Sequence, residues 1–170
     1  MPTHLIIDGY NLLGCTGNLS GHLESARETL LHTLAAYRQR KNHSLTIVFD
    51  GWRQGQPMEQ REQRAGVQII YSKRGERADQ VIQRLAREYG AGCAVVSSDQ
   101  EVARSAKVSG ALVLSAQEFA LKLWAAPSGG GRVHKELEVQ EAPPRDPKKK
   151  GNPRKLPKAL RQRSRRLKRF

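Results

Sequence analysis

Apolar residues in this chain follow two alternating rhythms as far as residue 126. Short unbroken runs come first: HLIID (4–8), LTIVFD (45–50), VQIIY (67–71), CAVVS (93–97) and ALVL (111–114). Runs this short, rich in β-branched side chains and apolar throughout, predict strands buried on both faces. Between them the spacing becomes helical. Leu23, Ala26, Leu30, Leu31, Leu34 and Ala35 form one stripe over 22–40, and Ala78, Val81, Ile82, Leu85, Ala86 and Tyr89 form another over 78–89. Ser98 with Glu101, and Ser115 with Glu118, have the spacing of a capping box. The first opens a helix that Gly110 is placed to end, and the second opens a helix over 116–125.

Buried strands alternating with helices predict an α/β fold: a three-layer α/β/α sandwich around a mainly parallel five-stranded sheet, with right-handed crossovers. The stretch 51–66, GWRQGQPMEQREQRAG, breaks the rhythm. It is polar, with only a marginal helical tendency after Pro57, and reads as a long exposed excursion. No internal repeat is visible.

Charge divides the chain in two. Residues 1–127 hold 15 Lys and Arg against 12 Asp and Glu, whereas 128–170 hold 15 against 4. Most of the net charge of +14 therefore lies in the last quarter. The expected organisation is one domain over 1–126 and a basic extension over 127–170, disordered alone, with a short basic helix from about Pro157. Such asymmetry points to a polyanionic partner, most often nucleic acid. Cys15 and Cys93 form no CxxC pair and read as buried or half-buried thiols in a reducing compartment. The first residues lack the basic and apolar stretches of a secretory leader, and no run approaches a membrane span. A cytoplasmic protein with no membrane partner is the expectation.

The acids carry the chemistry. Asp8 closes the first strand, Asp50 the second, and Asp99 follows the fourth. In a parallel sheet those ends share one edge, where ligands of open α/β folds bind. Asp79 lies in the first turn of the helix that starts from the same edge, with Glu76 three residues before it. Carboxylates ~4 Å apart repel by about 4 kcal/mol at an effective dielectric near 20. Protons or a divalent cation relieve that repulsion. Oxygen donors without His or Cys favour Mg²⁺ or Mn²⁺. Each acid also has a structural explanation: Asp8 and Asp50 precede glycines in turns, and Asp79 and Asp99 suit helix first turns. Asn11 either holds water or phosphate beside Asp8 or bonds the turn backbone. There is no GxxxxGK[ST], no GxGxxG after the first strand and no triad grouping, so no nucleotide cofactor is expected.

Taken in order, IIDGYNLL, VFDG, RGERADQVIQRL, VVSSD and GALVLSAQEF resemble the YacP-like branch of the NYN domains, relatives of the PIN nucleases. The resemblance spans about residues 3–124 and leaves 128–170 outside. It implies a PIN-like sandwich and a metal-dependent endoribonuclease that cleaves mRNA in association with the ribosome. The family's acids fall on Asp8, Asp79 and Asp99, and its asparagine on Asn11. Asp50 is an outer metal ligand in this reading. Arg77 replaces a small residue usual in the family, and either contacts phosphate or faces solvent. Further RNA contacts are expected from Trp52 and Arg53, by stacking and pairing, and from the tail, including Lys148, Lys149, Lys150, Arg165 and Arg166. The rival class is a non-catalytic RNA- or ribosome-binding protein with the same fold.

Overall fold

The computed structural model describes residues 3–17, 22–51 and 57–125. Their elements are β1 (His4–Asp8), α1 (Gly9–Cys15), α2 (Leu23–Lys41), β2 (Ser44–Phe49), β3 (Gln60–Arg64), β4 (Val67–Tyr71), α3 (Ala78–Tyr89), β5 (Cys93–Val96), α4 (Gln100–Val108), β6 (Leu112–Leu114) and α5 (Ala116–Trp124). The strands form one sheet in the order β3-β4-β2-β1-β5-β6. All neighbours run parallel except β3, which is antiparallel to β4.

The sheet is covered on both faces. Ile6, Val48, Ile70 and Val95 pack on one side against Val81, Ile82 and Leu85 of α3 and Val102 and Ala106 of α4. Strand alternation sends Leu5, Ile7, Ile47, Phe49, Ile69 and Tyr71 to the other side, towards α1, α2 and α5. There Tyr37 of α2 meets Phe119 of α5 edge to face, with centroids 5.3 Å apart. Each fully buried aliphatic side chain contributes about 1.5–3 kcal/mol. The exposed ion pairs, such as Arg64 with Glu28, contribute about 1 kcal/mol at most. Burial on the two faces therefore holds the sandwich together.

The sandwich agrees with the sequence, and the strand count does not: the sheet has six strands, not five. The sixth is β3, inside the segment expected to be an exposed excursion. QREQR has no apolar alternation, and its residues are mostly exposed. It pairs through register, from Gln60 opposite Tyr71 to Arg64 opposite Val67. The two-residue turn between them holds Ala65 at φ 48° and Gly66 at φ 80°. Left-handed φ at both positions is the geometry that matches hairpin twist. Alanine seldom adopts it, so AG gives no hairpin signal of the NG or DG kind.

Three local readings also change. The pair Asp8-Gly9 does not make a loop turn; α1 starts at Gly9, with Asp8 as its N-cap. The cap of α4 is Asp99 rather than Ser98, while Ser115 and Glu118 do form the capping box expected for α5. Cys15 is exposed, whereas Cys93 is buried, and burial pushes its thiol up to about 11. Among the described residues no helix is long and apolar enough to cross a membrane.

Candidate active site

Strand alternation aims Asp8, Asp50, Ser72 and Ser97 to the α3–α4 side of the sheet's carboxyl edge, in line with Ile6, Val48, Ile70 and Val95. Asp8 is 7% exposed. One carboxylate oxygen accepts from the Asn11 backbone N–H at 3.1 Å, and the other from Ser97 Oγ at 3.3 Å. Ser97 Oγ in turn accepts from the Asp99 N–H at 3.1 Å. One buried serine thus links two of the acids. Neither Ser97 nor the equivalent Ser72 was singled out by sequence reasoning. Their signal is a hydroxyl residue ending or directly following an apolar strand whose neighbours end on Asp.

Asp50 is fixed differently. Its Oδ1 accepts from the Ala78 N–H at 2.6 Å, joining the end of β2 to the start of α3. The next residue, Gly51, donates its N–H to Ser72 Oγ at 3.1 Å. A Cβ at position 51 would stand 2.0 Å from the Ser72 carbonyl oxygen, so only glycine lets the β2 and β4 ends approach this closely. Asp99 caps α4, its Oδ1 accepting from the N–H groups of Glu101 at 2.7 Å and Val102 at 3.1 Å. Asn11 Oδ1 accepts from the Ser98 N–H at 2.9 Å, and Ser98 Oγ accepts from the Ala116 N–H at 3.1 Å. Asn11 therefore ties α1 to the loop carrying Asp99.

Burial pushes the Asp8 carboxyl from 3.8 up to about 6. The Asn11 N–H and Ser97 hydroxyl work against that rise, and the Asp79 and Asp50 charges add to it. The Asp79 carboxyl is also raised, by burial first, with Arg77 opposing and Asp99, Asp50 and Glu101 contributing. All four sequence-predicted aspartates therefore share one electrostatic neighbourhood. The Arg77 side chain is largely exposed, and its guanidinium pairs with Asp79 Oδ2 at 2.7 Å. Glu76 joins a separate group, in which Arg84 bridges it and Glu59.

The donor set, four carboxylates without nitrogen or sulfur, suits a hard divalent cation. However, among the described residues no three His, Cys, Asp or Glu side chains already stand close enough to hold one. Each acid is engaged, Asp79 by a cation and the others by N–H or O–H donors. Trp52, Arg53, Lys148, Lys149, Lys150, Arg165 and Arg166 lie outside the described residues.

Comparison with known proteins agrees with this fold. The family model of the YacP-like NYN domain matches residues 5–166, well past the 3–124 range of the motifs and into the basic extension. Uncharacterized protein YacP of Bacillus subtilis (strain 168) is 30% identical over 87 residues, 49% of this chain and 51% of that protein. The chain thus spans about half the length of that relative. The crystal structure of Rae1 (YacP) from Bacillus subtilis superposes with a TM-score of 0.58 at 27% identity, over 72% of this chain and 74% of that one. A mutant of the same protein gives 0.59 at 26% identity, over 71% and 74%. The chain belongs to the YacP-like NYN domain family, within the PIN-like nuclease superfamily.

Proposed function

We propose that this protein is a divalent-metal-dependent endoribonuclease that cuts single-stranded RNA at the edge carrying Asp8, Asp50, Asp79 and Asp99. The observation that carries this reading is the convergence of four aspartates at one edge of the sheet, where burial first and neighbouring acids second raise the Asp8 and Asp79 carboxyls, in a chain of a nuclease family. Like charges held together at a cost to folding are characteristic of functional sites. Asp8, Asp79 and Asp99 are the residues that would hold Mg²⁺ or Mn²⁺, with Asp50 behind them. Such a cation supplies charge for the phosphate under attack and acidifies water. The chain's own groups do the rest. Ser97 and the Asn11 N–H orient Asp8, the Ala78 N–H fixes Asp50, and Asn11 sets the loop that presents Asp99. In the cytoplasm the substrate we assign is mRNA, engaged on the ribosome.

Cleavage of single-stranded RNA by the full chain with Mg²⁺ or Mn²⁺ tests the reading, on naked and ribosome-bound mRNA. Asp8→Asn and Asp79→Asn are expected to abolish cutting while leaving folding and RNA binding intact. Undiminished cleavage by the double variant would sink it.

One observation favours a second reading, a non-catalytic RNA-binding protein. Arg77 already pairs with Asp79, a cation standing at one of the acids that would hold a metal. Thermal melting separates the two: a rise in melting temperature at millimolar Mn²⁺, lost in Asp8→Asn, supports the nuclease.

A further inference from the structure

The acids occupy one flank of the sheet's carboxyl edge, and the opposite flank holds a cluster of another kind. Phe49 and Tyr71, in register at the ends of β2 and β4, stack with centroids 5.8 Å apart and planes 23° apart. Tyr10, in the first turn of α1, meets the Phe49 ring edge-on at 5.3 Å. The Arg27 guanidinium, from α2, lies 6.0 Å from the centre of the same ring. Phe49 is fully buried and Tyr71 nearly so, while Tyr10 and Arg27 are partly exposed. Arg61, Arg64, Arg77 and Arg84 each pair with a carboxylate, and Arg27 does not pair with one among the described residues.

The two flanks are joined by consecutive residues, Asp8, Gly9 and Tyr10. A Cβ at Gly9 would stand 2.3 Å from a Phe49 ring carbon, so the glycine is what lets α1 settle on the aromatic cluster directly after the acid.

We propose that Tyr10 and Arg27 form a nucleobase-stacking subsite across the sheet edge from Asp8, which receives a base neighbouring the phosphate that is cut. The assignment rests on the ribonuclease reading above and adds to it where the substrate is gripped. An acidic flank repels the RNA backbone, so a strand needs a favourable hold close by. Aromatic rings and guanidinium planes provide one by stacking with splayed bases of any sequence. Phe49, itself stacked on Tyr71, supports Tyr10 from behind, which limits the freedom it loses on binding. A packing role accounts for the two buried rings. It does not account for a partly exposed arginine held against them with no carboxylate partner among the described residues.

The test uses the full chain with Mn²⁺ and short single-stranded oligoribonucleotides in which one nucleotide at a time around the cut is made abasic. With the wild-type protein, an abasic site at one defined position is expected to raise KM roughly tenfold to a hundredfold, with kcat little changed. Tyr10→Leu should raise KM on intact RNA by a similar factor and show no further loss on that abasic RNA, and Tyr10→Trp should restore it. Arg27→Gln takes the place of Tyr10→Leu if melting shows the latter unfolded. Cleavage whose KM ignores abasic sites at every position overturns the subsite and leaves the nuclease standing. So does a loss that simply adds to that of the variant. Failure of the wild-type chain to cut or bind any of these RNAs overturns both readings.

Discussion

The two ends of the sheet treat their polar residues in opposite ways. At the amino end, His4 Nε2 and Thr46 Oγ1 lie 2.8 Å apart, and Thr46 Oγ1 donates to Gln68 Oε1 at 3.0 Å. The His4 ring stacks on Tyr89 at 4.2 Å, and burial lowers its pKa, favouring the neutral ring. Three adjacent strands thus close their polar groups on one another without net charge, each bond contributing about 1 kcal/mol. At the carboxyl end the same strands and the helix beyond them deliver carboxylates, and burial first and neighbouring acids second raise those of Asp8 and Asp79. The first arrangement favours the folded chain and the second opposes it. The fold thus completes its polar network at one end and gathers acids at the other at a cost to stability, the pattern expected of a functional edge.

Substitutions at the two ends should therefore have opposite consequences. The largest effect is expected on catalysis: Asp8→Asn lowers RNA cleavage at least about a hundredfold, the scale of losing a key electrostatic group. His4→Gln at the far end should leave the rate unchanged. Equal losses in a cleavage assay would erase the contrast.

Next comes Gly51→Ala, whose Cβ would meet the Ser72 backbone rather than a movable side chain. Denaturant unfolding should show a loss of about 3 kcal/mol, at the upper end of overpacking costs.

A comparable figure with the opposite sign is expected for Asp8→Asn when stability is measured. Moving a carboxyl from 3.8 to about 6 corresponds to about 3 kcal/mol. Between these values the folded protein binds a proton that the unfolded chain has released. Wild-type stability should then fall as pH rises through that window, and the contribution is gone above about pH 6. Asp8→Asn should match wild type near pH 3.5 and exceed it above pH 6 by up to about 3 kcal/mol in metal-free buffer. Melting curves from pH 3.5 to 8 give the difference directly, and parallel curves would refute the buried charge.

The smallest effect belongs to Arg77→Ala. Its ion pair is exposed at 75% on the arginine side, so stability should change by less than about 1 kcal/mol. Removing this competing cation should nevertheless enlarge the Mn²⁺-induced rise in melting temperature.

Much of this was legible in the sequence because it rests on strong periodic signals. Apolar runs fixed five strands to within a residue or so, and parallel connectivity then brought their trailing acids to one edge. What was not legible depended on the weakest local signals. β3 is recruited by backbone pairing alone, with charged side chains and an alanine in a left-handed turn. The seven residues of α1 include two glycines, and Asp8 serves both strand end and helix cap, so the motif looked like a loop. The partners of each acid were also hidden. That Ser97 joins Asp8 to Asp99, and that Arg77 bends back to Asp79 within the same first turn, follows from side-chain positions that spacing does not encode.

The hairpin strand has a consequence for how the protein behaves in a crowded solution. VQIIY of β4 carries no charge and consists mostly of β-formers, the composition that adds strands to itself between chains. β3 covers its outer hydrogen-bonding edge with Gln, Arg and Glu side chains and leaves those charges as the rim of the sheet. The opposite rim is β6, only three residues long. A strand that adds almost nothing to the core thus serves as a guard against self-association, and neutralising its charges should show first as loss of solubility rather than loss of fold.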